Sequence, residues 1–186
     1  MEYIKKLVGK NIYLSPIRVE DAEQYVTWFC DFETTDYLGR SGKGISLEEE
    51  KEWILKHQGD EAMFAMVTLK ENKLIGNLSI ENIDHVNRRG TLGIMIGDKE
   101  NREKGYGTEA IQLLLDYGFN YLNLNNIKLD VMAFNERAIR CYKKCGFKEY
   151  GRRRKCYFLN GTYYDIIEMD ILAEEFTGDY IQNKNI

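Results

Sequence analysis

The sequence predicts an α/β (α+β) fold, a single domain in which helices flank a mixed, largely antiparallel sheet, and three observations predict it. Apolar runs and turn signals read in order as β-α-α-β-β-β-α-β-α-β-β, so strands outnumber helices and several follow one another directly. The 186 residues are 44% apolar and 30% charged, with one proline and no linker-like or repeated segment. That fits one domain over 1–186, with a core of about 11–172 and a short tail, 173–186. Finally, a strand in the middle of the chain runs into a glycine-rich turn that opens its most periodic helix.

The elements follow in order. Asn11–Ile17 reads as a short strand. Glu20–Phe32 reads as a helix, with Asp21, Glu23 and Gln24 on its polar side and Ala22, Tyr25, Val26 and Phe29 inside. Gly39-Arg40-Ser41-Gly42-Lys43-Gly44 reads as a mobile loop. Ser46-Leu47-Glu48-Glu49 is a capping box, in which serine and glutamate each satisfy a backbone N–H of the other, and it opens a helix to about Gln58. Met63–Leu69 and Leu74–Ile83 are strands joined at Glu71-Asn72, and Gly90–Ile96 is a third. Beyond the glycine turn, Ile111, Leu114, Leu115, Gly118, Phe119 and Leu122 recur at three-four spacing, one buried stripe. Ile127–Met132 is a strand, and Asn135–Cys145 a short helix stopped by Gly146. Strands Lys148–Leu159 and Thr162–Ile171 flank Asn160-Gly161, a strong hairpin signal.

Composition excludes several classes. A net charge of −4 argues against generic nucleic-acid binding, which uses a basic face. No apolar run approaches the ~20 residues that span a bilayer, and Met1-Glu2-Tyr3-Ile4-Lys5-Lys6 lacks the apolar core of a signal peptide. Cys30, Cys141, Cys145 and Cys156 form no CxxC pair. Cys141 and Cys145, four apart on a helix, offer two thiolates to a metal or, in a reducing cytosol, two small buried hydrophobes. The chain reads as cytoplasmic and metal-free.

The glycine turn is Arg102-Glu103-Lys104-Gly105-Tyr106-Gly107-Thr108, and it follows Leu92-Gly93-Ile94-Met95-Ile96. A helix start leaves its first N–H groups without intrahelical acceptors, and the macrodipole adds about half a positive charge, so a phosphate or pyrophosphate is the expected ligand. A GxxxxGK[ST] loop would need a final Lys-Ser/Thr, and a GxGxxG loop would need a third glycine where Thr108-Glu109-Ala110 stands. Thirty residues on, directly after a strand, lies a second motif, Asn135-x-x-Ala138-x-x-x-Tyr142-x-x-x-Gly146-Phe147. Together the two motifs resemble the GNAT superfamily of acetyl-CoA-dependent N-acetyltransferases, over about Asn11 to Leu172. Ile17-Arg18-x-Glu20-Asp21-Ala22, Trp28 with Tyr37-Leu38-Gly39, and Leu47-Glu48-Glu49-Glu50-x-Glu52-Trp53-Ile54 are similar to its ribosomal-protein N-terminal (RimJ/RimL-like) branch, which also contains acetyltransferases of small amines.

The resemblance implies roles. Ile94, Met95 and Ile96 offer backbone groups to the pantetheine arm of acetyl-CoA. Arg102, Glu103, Lys104, Gly105, Tyr106, Gly107 and Thr108 wrap its pyrophosphate, chiefly through N–H groups. Asn135 and Tyr142 stand at the thioester, Asn135 as a hydrogen-bonding group and Tyr142 as donor or acid toward the leaving sulfur. A phenol of pKa ~10 giving its proton to a thiolate of pKa ~8.5 is uphill by ~2 kcal/mol, so a hydrogen bond that strengthens as charge develops on sulfur suffices. By themselves, Tyr142 reads equally as a core tyrosine, Asn135 as a helix cap, and Arg152-Arg153-Arg154-Lys155 as either a solvated hairpin stem or a contact for acidic groups.

Two places depart from the family pattern. Thr91 stands where many relatives carry a glutamate that takes the amine proton, and Gly97-Asp98-Lys99-Glu100-Asn101 is one residue longer than usual and lacks a proline. The base is therefore open among Glu81, Asp84, His85 and water. The expected function is direct transfer of an acetyl group from acetyl-CoA to a primary amine, a protein N-terminus or a small molecule, by a monomer or homodimer, with a backbone N–H of Ile94–Ile96 as oxyanion donor. The alternative is a non-catalytic acetyl-CoA sensor, favoured by the missing glutamate. Spermidine acetyltransferases resemble the chain around Leu115–Leu124 and Phe158–Tyr164. The loop Gly39–Gly44 replaces their acid-rich segment and speaks against a polycation.

Overall fold

The computed structural model describes residues 2–39 and 41–184. Among these, the strands are β1 (Leu7–Val8), β2 (Ile12–Pro16), β3 (Met63–Thr68), β4 (Leu74–Asp84), β5 (Arg89–Ile96), β6 (Asn126–Met132), β7 (Lys148–Leu159) and β8 (Thr162–Leu172). They form one sheet in the order β1-β2-β3-β4-β5-β6-β8-β7. Every pairing is antiparallel except β5 with β6, as the predicted class requires. The helices are α1 (Ala22–Phe29), α2 (Phe32–Thr35), α3 (Leu47–His57), α4 (Tyr106–Asn120) and α5 (Glu136–Lys144).

Strand alternation divides the core between the two faces of the sheet. One face, through Leu14, Met66, Leu78, Ile80 and Leu92, packs on the predicted α4 stripe of Ile111, Leu114, Leu115 and Phe119. The other, through Tyr13, Ala65, Val67 and Met95, packs on Tyr25 and Trp28 of α1 and Ile54 of α3. Local signals hold where their chemistry is self-contained. Ser46 and Glu49 exchange hydrogen bonds of 3.1 and 2.9 Å, and Asn160 and Gly161 both take positive φ. The basic run of β7 is a hairpin stem, where Arg152 pairs with Asp165 at 3.1 Å and Arg153 with Glu168 at 3.1 Å.

Two expectations need correction. The single helix over Glu20–Phe32 is broken: a 3-10 turn precedes α1, and Asp31, extended at φ −96° and ψ 113°, starts α2 with its carboxylate holding the Thr34 hydroxyl at 2.8 Å. Asp21 is buried rather than on a polar face, because the Tyr3 hydroxyl (2.7 Å) and Arg18 guanidinium (2.8 Å) reach it from the N-terminal segment. The tail does not hang free. Ile181 is buried in the core, and Tyr180 and Ile181 donate backbone N–H groups to Asp116 at 2.7 and 3.0 Å. Gln182 N–H reaches the Val8 carbonyl at 2.8 Å. Of the glycine-rich loop, Arg40 lies outside the described residues.

One feature of the sheet positions the site. The parallel pairing of β5 and β6 runs only from Arg89↔Asn126 to Thr91↔Lys128. Beyond it the strands diverge, and the edge of β5 from Leu92 to Ile96 that faces β6 has no strand partner among the described residues. A backbone edge left open in this way presents amide donors and acceptors to whatever fills the gap.

Candidate active site

A cleft of about 600 Å³ opens at that gap. Its floor is Ile94, Met95 and Ile96, and its walls are the glycine turn with the first turn of α4, the exposed face of α5, and α2. All the residues expected to hold cofactor line it except Lys104 and Tyr106; Lys104 reaches Asn101 Oδ1 at 3.2 Å and Tyr106 packs on the core. Gly105 takes φ 86° with nothing within 4 Å of where a Cβ would stand, and Glu103 before it is also left-handed at φ 62°. The first N–H after Arg102 to find a backbone acceptor is that of Glu109, on Gly105, so Glu103 through Thr108 form an anion cradle at the positive end of α4.

Arg102, expected at the pyrophosphate, lines the cleft and also braces it. Its side chain is largely buried and acts as a strut: Nε donates to the Ile96 carbonyl at 3.1 Å, Nη2 to Thr34 Oγ1 at 2.8 Å, and Nη1 reaches Glu33 at 3.2 Å. The longer loop before it folds into a 3-10 turn, Lys99–Asn101, whose Lys99 pairs with Glu33 and Asp31 at 2.8 and 3.1 Å. The extra residue therefore docks α2 onto the cleft. Gly97, where β5 ends, lies flat under Trp28, and any Cβ there would meet the indole at 1.9 Å.

Asn135 does cap α5, its Oδ1 accepting from Ala138 N–H at 3.2 Å, while the residue also lines the cleft. Both readings made from the sequence are therefore compatible in one side chain. Tyr142 faces the cleft with its ring edge-on to Phe147, 6.0 Å away, and burial pushes its phenol well above the usual tyrosine value. Sequence reasoning missed Arg137, Arg140 and Lys144, which line the same cleft. Their spacing on α5 was a legible signal, since residues three and seven apart share a helix face. Glu33, Thr34 and Tyr37 arrive from α2 and the turn after it, with no local pattern to announce them.

A second cleft, of about 580 Å³, lies on the opposite face of β5 and shares Leu38, Ile94 and Met95 with the first. Asn77, Ser79, Glu81 and Gly93 form its floor, and Phe29, Ile45, Glu49, Glu50, Trp53 and Lys43 its walls. A third, of about 520 Å³, continues from Trp53, Met63 and Glu81 to Asp60, Glu61, His57 and His85. The residues of the first cleft suit acetyl-CoA: a pyrophosphate cradle, three cationic side chains and an unpaired strand edge for pantetheine amides. When bound, the thioester supplies an acetyl group activated toward amines.

A family model described as an acetyltransferase (GNAT) domain matches residues 11–148. The chain is 33% identical over 173 residues to the probable N-acetyltransferase YjcK of Bacillus subtilis, covering 86% of this chain and 92% of that one. It is 35% identical over 132 residues to the spermidine N(1)-acetyltransferase of Vibrio cholerae, covering 70% of this chain and 76% of that one. The crystal structure of spermidine N-acetyltransferase from Vibrio cholerae in complex with CoA and spermine matches with a TM-score of 0.79 and 29% identity, over 88% of this chain and 96% of that chain. The chain belongs to the acetyltransferase (GNAT) family and is an acetyl-CoA-dependent N-acetyltransferase.

Proposed function

We propose that the chain acetylates a small cationic amine of the polyamine kind, with acetyl-CoA in the cleft between β5 and α5 and the amine in the cleft on the other face of β5. The observation that carries this is the lining of the acceptor side. Glu49, Glu50 and Glu81 face one lysine, Lys43, and Asp60 and Glu61 extend the acidic lining into the adjoining cleft. Phe29, Ile45 and Trp53 suit the methylenes between charges. The basic loop, which by sequence weighed against a polycation, brings Lys43 to that lining, opposite three glutamates. Likeness to spermidine acetyltransferases supports the same class.

Of the three side chains that could take the amine proton, the geometry favours Glu81. Asp84 accepts from Asn87 at 2.9 and 2.7 Å and pairs with Arg89 at 3.3 Å, away from every cleft described above. His85 is exposed and pairs with Glu61 at 3.1 Å. Glu81 lines the acceptor cleft, held by the Ser79 hydroxyl at 2.9 Å, beside Gly93 of β5. It is also the cross-strand partner of Thr91. Directly opposed residues share a sheet face, so the carboxylate missing from β5 is replaced from β4. Glu81 takes the proton, directly or through water, as the amine attacks in a ternary complex; a β5 N–H stabilises the carbonyl oxygen, and Tyr142 donates to the departing sulfur. No enzyme nucleophile is needed.

A thiol-release screen with acetyl-CoA tests this. Di- and polyamines should be acetylated with kcat/KM about tenfold or more above dipeptides or uncharged amines, and Glu81→Gln should lower kcat by ~10²-fold. Preference for peptide N-termini would replace the polyamine reading by the ribosomal-protein one, and unchanged turnover in Glu81→Gln would remove its role as base.

A further inference from the structure

Two thiols share the cofactor cleft with Tyr142. Cys141 and Cys145 lie one turn apart on α5; Cys141 lines the cleft and is partly exposed, while Cys145 is buried. Helix α5 rests on the first turn of α4, which puts Cys141 Sγ 3.3 Å from Thr108 Oγ1 and 3.9 Å from where a Cβ on Gly107 would stand. Cys145 Sγ lies 3.7 Å from the Thr108 carbonyl.

This setting favours a thiolate on the outer sulfur. The neighbouring Cys145 thiol and Thr108 hydroxyl favour the anion and outweigh burial, and Lys144 adds a positive charge, so the Cys141 thiol is held below an ordinary cysteine while Cys145 is pushed up. The positive end of α4, with the unbonded N–H groups of Gly107 and Thr108, acts in the same sense. The other charged groups around the cleft are Arg102, Arg137 and Arg140 against Glu33 and Glu103, so cations prevail. Tyr142 is neutral, and the facing stretch of β5 is Ile94, Met95 and Ile96. Cys30 and Cys156 are exposed and line none of the clefts described above, although Cys156 follows the basic run Arg152–Lys155; Cys156 donates to the Arg153 carbonyl at 3.3 Å.

We propose that Cys141 is a modification site for anionic low-molecular-weight disulfides, of which coenzyme A disulfide is the class member that fits this cleft, and that the mixed disulfide shuts the cleft to acetyl-CoA. The Cys141 thiolate attacks one sulfur of the disulfide; a new S–S bond forms, the old one breaks, and the departing thiolate takes a proton from water. Cys141 is oxidised and the released thiol is the reduced product, so no further oxidant is needed. Excess free thiol runs the exchange backward and reopens the cleft. The choice of disulfide rests on the cleft being the CoA site; the reactivity of Cys141 does not.

The test is to incubate the protein with coenzyme A disulfide at pH 7 and map the adducts by peptide mass spectrometry. Cys141 should be modified about tenfold faster than Cys30 or Cys156, which serve as internal controls. Its alkylation rate should follow a pH midpoint at least about one unit below the ordinary ~8.5. Cys145→Ala should move that midpoint upward. Modified protein should lose acetyl-CoA binding more than tenfold, with recovery on adding dithiothreitol, and saturating acetyl-CoA should protect Cys141. Modification of Cys141 no faster than of Cys30 or Cys156, or an ordinary midpoint, would overturn the proposal. Fast modification without protection would overturn the gating claim. Acetyl-CoA binding to unmodified protein, measured in parallel, reports separately on whether the cleft is the CoA site.

Discussion

Tyr142 is surrounded in a way that weakens it as an acid. Burial, with Cys141 and Cys145 beside it, raises its pKa, so moving its proton to a thiolate is more uphill than the ~2 kcal/mol of an ordinary phenol. What burial removes from acidity it leaves in hydrogen bonding, because a low-polarity site strengthens a donor aimed at developing charge. Tyr142→Phe should therefore lower kcat by ~10²-fold and leave acetyl-CoA affinity within about twofold. Calorimetric titration beside steady-state kinetics checks it, and an equal loss in binding and turnover would make Tyr142 a binding residue only. Because the phenol is raised, it stays protonated through the ordinary tyrosine range, and Tyr142→Phe should leave the alkaline limb of the pH profile where it is in the wild type.

At the scale of elements, the cofactor cleft is the meeting of a strand edge, a helix start and a helix face. The cradle depends on Gly105 holding φ 86°, a conformation that costs other L-residues about 1–2 kcal/mol. Space is not the constraint there, since a Cβ on Gly105 would meet nothing. Gly105→Val should relax toward negative φ and turn the N–H groups of Glu103 to Thr108 apart. The expected result is a loss of acetyl-CoA affinity of about tenfold or more, measured by calorimetry, with the melting temperature lowered by only a few degrees. Full affinity in that variant would place the pyrophosphate elsewhere. Around this cradle, the Lys99–Asn101 turn and the Arg102 strut fix α2 as one wall.

Across the whole molecule, the tail is locked to α4 by one buried carboxylate. Asp116 is fully buried, and it accepts from Tyr180 and Ile181 N–H, Asn120 Nδ2 and Lys184 Nζ. Burial opposes its ionisation, and these hydrogen bonds outweigh it, holding the carboxyl below the ordinary aspartate value. A depressed folded pKa stabilises the protein above the unfolded value of ~3.9, and the contribution is lost as pH falls through the folded value. Asp116→Ala should destabilise by about 3 kcal/mol at pH 7, because it leaves the Tyr180 and Ile181 N–H groups without their acceptor, while Lys184 keeps Asp179. In urea unfolding, the gap between wild type and Asp116→Asn should shrink as pH drops below about 4. A gap constant with pH would mean the carboxylate is not the anchor.

The sequence by itself determined what short-range chemistry can fix. The capping box at Ser46, the Asn160-Gly161 hairpin, the α4 stripe and the glycine turn each satisfy their own backbone or bury their own face, so their residues suffice to read them. It also pointed to the cofactor, because the glycine turn and the Asn135–Tyr142 motif together resemble those of the GNAT family. The acceptor side and the proton path proposed above rest on the tertiary structure. Glu81 is unremarkable along β4 and matters because antiparallel register sets it opposite Thr91. Asp21 reads as a polar-face acid until Tyr3, eighteen residues away, joins Arg18 in covering it, and Asp116 is held by Tyr180, Ile181 and Lys184 from the far end of the chain. In each case the deciding interaction joins residues that are neighbours only once the sheet and its two layers have formed.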